Sequence, residues 1–233
     1  MANQPLEGVK AVLMDVDDTL LDFGACARAC VGRALSEQGI ALNDELMDIF
    51  HRVNGKLWHS LETGEIRRED IYARRFPEML SQAGLHADGN RMETVFRESL
   101  RQTAIPVEGA QELLAGLAGR YPVYVASNAV GAQQRKRLTA AGMLERFSGF
   151  FTSFEMGVSK PDPAFFRACL EGLGRPDPRS VVMIGDSLHA DISGAARAGL
   201  HTVWFNPGHR MPDPDLPVPE YTVYDLPSIR EII

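Results

Sequence analysis

Cysteine is scarce in this chain: Cys26, Cys30 and Cys169 are the only three, an odd number in no C-x-x-C or zinc-ligand spacing. That excludes a disulfide framework and a cysteine-built zinc site, and leaves the thiols as small buried groups. The six histidines offer no pair at i, i+4, so a helical His-x-x-x-His metal site is excluded as well. Positive charge is also short: 24 Lys and Arg against 31 Asp and Glu leave a net charge of −7. Such a surface repels nucleic-acid polymers and acidic lipid, so the expected partner is a small molecule. The basic run Arg135-Lys136-Arg137 has no aromatic companions and reads as the solvated side of a helix. No apolar stretch reaches the roughly 18 residues of a membrane span, and Met1 to Gly8 lacks the basic start and apolar run of a secretory signal. The expectation is a cytoplasmic protein, monomer or homodimer, with no internal repeat.

What is present is the material of a packed core, with 45% apolar and 24% charged residues. Short β-branched runs bounded by turn residues recur at Ala11–Met14, Val123–Ala126, Val181–Ile184, Thr202–Phe205 and Tyr221–Tyr224. Helical patterns alternate with them at Ala110–Ala118, Gln133–Ala141, Ala164–Leu173 and Ala190–Ala198. This alternation predicts an α/β fold: a doubly wound, Rossmann-like parallel sheet with helices on both faces. The connection after the first strand is far too long for an ordinary crossover. From about Asp22 to Thr103 it reads as helix, with Leu46, Ile49, Phe50, Val53, Leu57 and Leu61 forming an apolar stripe and Ile105-Pro106 closing the segment. The expected organisation is a core of residues 1–21 and 105–233 with an inserted α-helical cap domain, 22–104. The stretch holding Pro207, Pro212, Pro214, Pro217 and Pro219 reads as a rigid surface loop.

The chemistry gathers at strand ends. The first strand runs into Asp15-Val16-Asp17-Asp18-Thr19, the second into Ser127-Asn128, and the Val181–Ile184 strand into Gly185-Asp186-Ser187, with Asp191 five residues beyond Asp186. Lys160 precedes Pro161-Asp162-Pro163, which opens a helix with proline in its first turn. In an open parallel sheet ligands bind outside the carboxyl ends of the strands, so one cavity can collect carboxylates, a hydroxyl, an amide and an ammonium. So many carboxylates at the end of a buried strand need a cation. Asp18 and Asp22 read as turn or capping residues.

This pattern resembles the haloacid dehalogenase-like (HAD) superfamily, whose four motifs stand here as DVDDT at Asp15 to Thr19, Ser127, Lys160, and GDSLHAD at Gly185 to Asp191. The resemblance covers nearly the whole chain, with the insertion where that family carries its cap. It implies a phosphoric monoester hydrolase with Asp15 as nucleophile and Asp17 as the acid and later the base. It also implies Mg²⁺ held by Asp15, the Asp17 carbonyl and Asp186, with Asp191 supporting from outside. Ser127, Asn128 and Lys160 are the implied phosphate-binding groups. Serine stands at 127 where many relatives have threonine, and Ala129 where glycine is frequent, which bears on backbone contacts at that turn.

The segments DVDDTLLDF and VNGKLW are similar to those of bacterial pyrimidine 5′-nucleotidases. The resemblance thus implies a phosphatase acting through an aspartyl-phosphate on a small phosphorylated metabolite such as a nucleoside 5′-monophosphate. Trp58, one step off the apolar stripe, is placed either to pack within the cap or to stack on a base. Phosphoglycolate or sugar-phosphate hydrolysis, hexose-phosphate mutation, and a catalytically silent binding module of the same fold are the alternatives. Asp17 weighs against a dehalogenase, which needs no acid for its leaving group.

Overall fold

The computed structural model describes residues 4–233. Strand β1 (Ala11–Met14) is followed by four helices, α1 (Phe23–Ser36), α2 (Asp44–Glu62), α3 (Arg68–Gln82) and α4 (Gly89–Leu100). The chain then runs through α5 (Ala110–Ala118), β2 (Val123–Ser127), α6 (Gly131–Ala140), β3 (Gly149–Thr152), α7 (Ser153–Met156) and α8 (Pro163–Gly172). It ends with β4 (Val181–Gly185), α9 (Gly194–Arg197), β5 (His201–Phe205) and β6 (Tyr221–Val223). These elements form two compact units: one runs to Asp22 and resumes at Ile105, and the other is Phe23–Ala104.

The first unit is a six-stranded sheet in the order β3-β2-β1-β4-β5-β6, every pair parallel. Its central strands are apolar along their length because helices cover both faces, and Val12, Leu13, Met14, Val182, Met183 and Ile184 have no exposed surface. From β1 the chain winds to β2 and β3 on one side, then returns through β4 to the other. The order therefore reverses between β1 and β4, where the crevice of a doubly wound sheet opens. Register pairs Met14 with both Val125 and Ile184, so residues 15, 126 and 185 emerge side by side.

Two local departures from the sequence expectation have physical causes. The edge strand β3, Gly-Phe-Phe-Thr, was not expected: it is four residues long, opens on glycine and shows no alternation. The helix expected over Ala190–Ala198 begins earlier, as a wide π-type turn Leu188–Ser193 that narrows into α9. Wide turns of this kind are frequent at functional sites, and this one carries Asp191.

The second unit packs α1 to α4 around their apolar faces. Helix α2 is started by Asn43, whose side chain accepts from Leu46 N at 2.9 Å, and it buries Leu46, Ile49, Phe50, Val53 and Leu57. Phe50, Phe76 and Phe96 form a three-ring cluster with centroids 5.4–5.9 Å apart. Beside it Arg75 is buried, its guanidinium 4.5 Å from the Phe96 ring. Arg75 donates to Glu93 at 2.6 and 3.1 Å and to Asn54 Oδ1 at 2.9 Å. Asn54, a polar member of the VNGKLW segment, is thus a structural acceptor. Trp58 is half-buried against the same core, with the Arg68 guanidinium 5.8 Å from its ring.

Candidate active site

Asp15 leaves β1 with its backbone N–H donating to Ile184 O of β4 at 2.9 Å, which sets it beside Gly185 and Asp186. Lys160 arrives from the start of α8, where Asp162 caps the helix through Ala164 N at 2.7 Å. Its ammonium donates to Asp15 Oδ1 at 2.7 Å, to Asp191 Oδ1 at 2.6 Å and to Ala126 O at 2.7 Å. All three ammonium hydrogens are engaged, so Lys160 clamps two carboxylates instead of presenting a free donor. Ser127 and Asn128 follow from β2. The Asn128 carboxamide holds the Lys160 backbone, Nδ2 donating to Lys160 O and Oδ1 accepting from Lys160 N, each at 2.9 Å.

Ser127 Oγ accepts from Ala129 N at 3.1 Å and from Gln134 Nε2 at 3.2 Å. With both lone pairs taken, its own O–H is the outgoing donor. Ala129 lies outside the left-handed region, so alanine serves this turn without strain. Asp191 Oδ2 accepts from Ser187 N at 3.0 Å. Gly185 is required there, since a Cβ at 185 would stand 2.2 Å from Asp191 Oδ2.

Carboxylate oxygens of Asp15, Asp186 and Asp191 all lie within 4.8 Å of one another. Burial pushes the Asp15 carboxyl up to about 8, opposed by Lys160 and reinforced by Asp191. Burial likewise raises Asp186 well above the usual carboxylate range, helped by Asp191, Asp15 and Asp18. Burial by itself would depress Lys160, but Asp15 and Asp191 outweigh it and hold the ammonium firmly charged. One ammonium among three crowded carboxylates leaves the cluster short of positive charge, and an all-oxygen donor set of this kind fits a hard divalent cation.

Residues missed by sequence reasoning complete the surroundings. Arg137, expected on the wet side of its helix, has no exposed surface and is ion-paired with Asp17. Helix α6 buries Gly131, Gln134, Arg137 and Leu138, so the 3.6-residue period carries Arg137 inward while Arg135 and Lys136 stay exposed. The available signal was Gln134 and Leu138, which share that stripe. Trp204 Nε1 donates to Asp186 O at 2.8 Å, and Arg210 donates to the same carbonyl at 2.5 Å from the proline-rich loop. Asp18, with φ of 59°, turns the chain after Asp17. Asp18, Asp22, Asp186 and Arg210 border a cavity of about 370 Å³.

A family model of haloacid dehalogenase-like hydrolases matches residues 9–199. The HAD-hydrolase YfnB of Bacillus subtilis is 31% identical over 224 residues, covering 96% of this chain and 95% of that protein. The pyrimidine 5′-nucleotidase PynA of Streptococcus pneumoniae is 32% identical over 225 residues, with coverage of 96% and 94%. YjjG of Escherichia coli, also a pyrimidine 5′-nucleotidase, is 28% identical over 222 residues, with coverage of 95% and 96%. The crystal structure of magnesium-bound YfnB superposes with a TM-score of 0.89 at 32% identity, covering 97% of this chain and 99% of that one. An L-2-haloacid dehalogenase of Xanthobacter autotrophicus, 18% identical with a TM-score of 0.75, shares the fold alone. Four motifs in order, three of them at strand ends, on a sheet that reverses its order between β1 and β4, and a family match spanning all of them, lead to one statement: the chain belongs to the haloacid dehalogenase-like hydrolases.

Proposed function

We propose that the chain is a Mg²⁺-dependent phosphatase that hydrolyses small phosphomonoesters through an aspartyl-phosphate on Asp15, with pyrimidine nucleoside 5′-monophosphates as its substrate class. The observation that carries the reading is the Lys160 ammonium held between Asp15 and Asp191, with Asp186 completing the carboxylate cluster. The relatives PynA and YjjG support the substrate class.

In the first half-reaction a carboxylate oxygen of Asp15 attacks phosphorus, and the bond to the ester oxygen breaks. Asp17 delivers a proton to that departing oxygen. In the second half a water attacks phosphorus while Asp17 takes its proton, the bond from phosphorus to Asp15 breaks, and inorganic phosphate leaves. Two like charges about 4 Å apart repel by roughly 4 kcal/mol at an effective dielectric near 20, so attack of a carboxylate on a phosphate needs compensation. Lys160 supplies part of it by neutralising Asp15 and Asp191, and the outgoing Ser127 hydroxyl donates to a phosphoryl oxygen. Asp15, Asp186 and the Asp17 carbonyl would hold Mg²⁺, with Asp191 steadied behind them by Lys160 and Ser187; the ion supplies charge neutralisation at the phosphoryl oxygens.

The test is phosphate release from a panel of nucleoside monophosphates, sugar phosphates and phosphoglycolate, with Asp15→Asn as the blank. Pyrimidine monophosphates are expected to lead. A lead of tenfold, about 1.4 kcal/mol in barrier, for phosphoglycolate or a hexose phosphate overturns the substrate assignment. Isomerised sugar phosphate without net phosphate release marks a mutase, and no turnover across the panel marks a binding module.

A further inference from the structure

Both oxygens of Asp17 are gripped from one helix. Gln134 Nε2 donates to Oδ2 at 2.7 Å, and the Arg137 guanidinium pairs with Oδ1. The grip comes from α6, whereas Asp15 and Asp186 follow strands β1 and β4. Gln134 and Arg137 have no exposed surface, whereas the Asp17 side chain retains 29% of its own. The Gln134 amide is shared, since the same Nε2 that holds Asp17 lies 3.2 Å from Ser127 Oγ. Its Oε1 is in turn approached by Arg137 Nη1 at 3.4 Å. Position i and position i+3 of α6 therefore reach one carboxylate together, from a helix that starts four residues after the Ser127 strand end.

A buried guanidinium is expensive unless it is paired, and a fold with no use for charge here would place an apolar side chain at 137. Asp17 itself needs no such partner, since water reaches it. The arrangement makes sense if what is being controlled is the direction of the Asp17 carboxylate, because misplacing an acid by about 1 Å costs on the order of 100-fold in rate.

We propose that Gln134 and Arg137 are positioning residues: they aim the Asp17 carboxylate at the departing ester oxygen and, through the shared Gln134 amide, tie that aim to the Ser127 hydroxyl. The inference rests on the reading of Asp17 as the acid of a phosphatase. Its signature is dependence on the leaving group. A departing oxygen that is stable as an anion needs no proton, so losing the aim of Asp17 leaves its expulsion intact. A basic departing oxygen needs the proton, and suffers.

The experiment measures the pre-steady-state burst of phenol release, with saturating Mg²⁺, from phenyl phosphate and from 2,4-dinitrophenyl phosphate. It compares the full-length chain with Arg137→Met, Gln134→Met, Arg137→Lys and Asp17→Asn. Circular dichroism reports the folded fraction, and the rate of the first phenol release reports the phosphorylation step, so a variant that folds poorly loses ellipticity while a misaimed acid loses rate. Arg137→Met and Gln134→Met are expected to slow the phenyl phosphate burst by about 30- to 100-fold while the dinitrophenyl burst stays within about threefold. Arg137→Lys, which keeps a cation beside Oδ1, is expected to recover part of the phenyl phosphate rate. If Asp17→Asn discriminates between the two esters but both methionine variants slow them equally, or slow neither, the inference is overturned and the reading of Asp17 stands. If Asp17→Asn itself treats the two esters alike, Asp17 is not the acid, and the reading falls with the inference.

Discussion

Asn128 and Lys160 are paired through both ends of one carboxamide, Nδ2 donating to Lys160 O and Oδ1 accepting Lys160 N at 2.9 Å each. The pairing joins the end of β2 to the entry of α8, which fixes where the ammonium is delivered. Asn128→Leu leaves two buried backbone groups without partners, each worth about 1–3 kcal/mol. The expected outcome is a lower urea midpoint together with a turnover loss of at least about tenfold; unchanged turnover in a folded variant would show that Lys160 is placed by other means.

Gly185→Ala drives a methyl to 2.2 Å from Asp191 Oδ2. Asp191 has little freedom to retreat, because Lys160 and Ser187 N hold its two oxygens. The substitution is expected to reduce turnover by about 100-fold or more while the protein still folds, since the displaced group belongs to the site. Circular dichroism checks the fold, and phosphate release checks turnover.

The metal-free protein carries an electrostatic burden that depends on pH. Asp15 is raised to about 8 in the folded chain, above its unfolded value. Its stabilising contribution is therefore fully present below the unfolded carboxylate range, about pH 4, and is lost as pH climbs through 8. A divalent cation must displace those protons to bind, so its affinity rises over the same window. Thermal melts with EDTA or Mg²⁺ at pH 6 and pH 8 are expected to show the larger Mg²⁺-dependent gain at pH 8. At about 100 times the dissociation constant the gain is about 2.7 kcal/mol, or roughly 5–10 °C. Asp186→Asn is expected to abolish it, and an equal gain at both pH values counts against the proposed ligand set.

In the helical unit, Glu93→Gln leaves Arg75 charged and buried without its counter-ion. The expected destabilisation is about 3–5 kcal/mol by chemical denaturation. Pairing it with Arg75→Met removes the orphaned charge, so the double variant should be more stable than Glu93→Gln alone. A double variant that is worse than either single would mean that the aromatic contact of Arg75 dominates.

Strand periodicity and turn residues were sufficient to read most of the sheet and its helices, because buried parallel strands advertise themselves as apolar runs between breakers. β3 escaped for the opposite reason: an edge strand of four residues has little burial to declare. Asp15, Ser127 and Asp186 stand out in the sequence because polar residues that follow apolar strands are conspicuous, whereas Lys160 and Asp191 lie beyond the strand ends and stand out only through the family pattern. Gln134 and Arg137 were not legible, since a charged run on a helix normally faces water and only the three-dimensional path of α6 shows which member turns inward. Asn128 and Lys160 were assigned to phosphate from the family pattern, yet side-chain partners exist only once β2 and α8 are brought together. Arg210 lies in a loop with no periodicity to read, so nothing in the sequence pointed from it to Asp186.

The two ends of the helical insertion meet the sheet as neighbours, Asp22 N donating to Ile105 O at 2.9 Å and Leu21 bridging Pro106. A segment that departs and returns through one doorway can be exchanged for another of different length or sequence without rerouting the strands that carry the carboxylates. The architecture thereby separates two kinds of change, letting the helical unit be reworked while the residues that follow the strands keep their places.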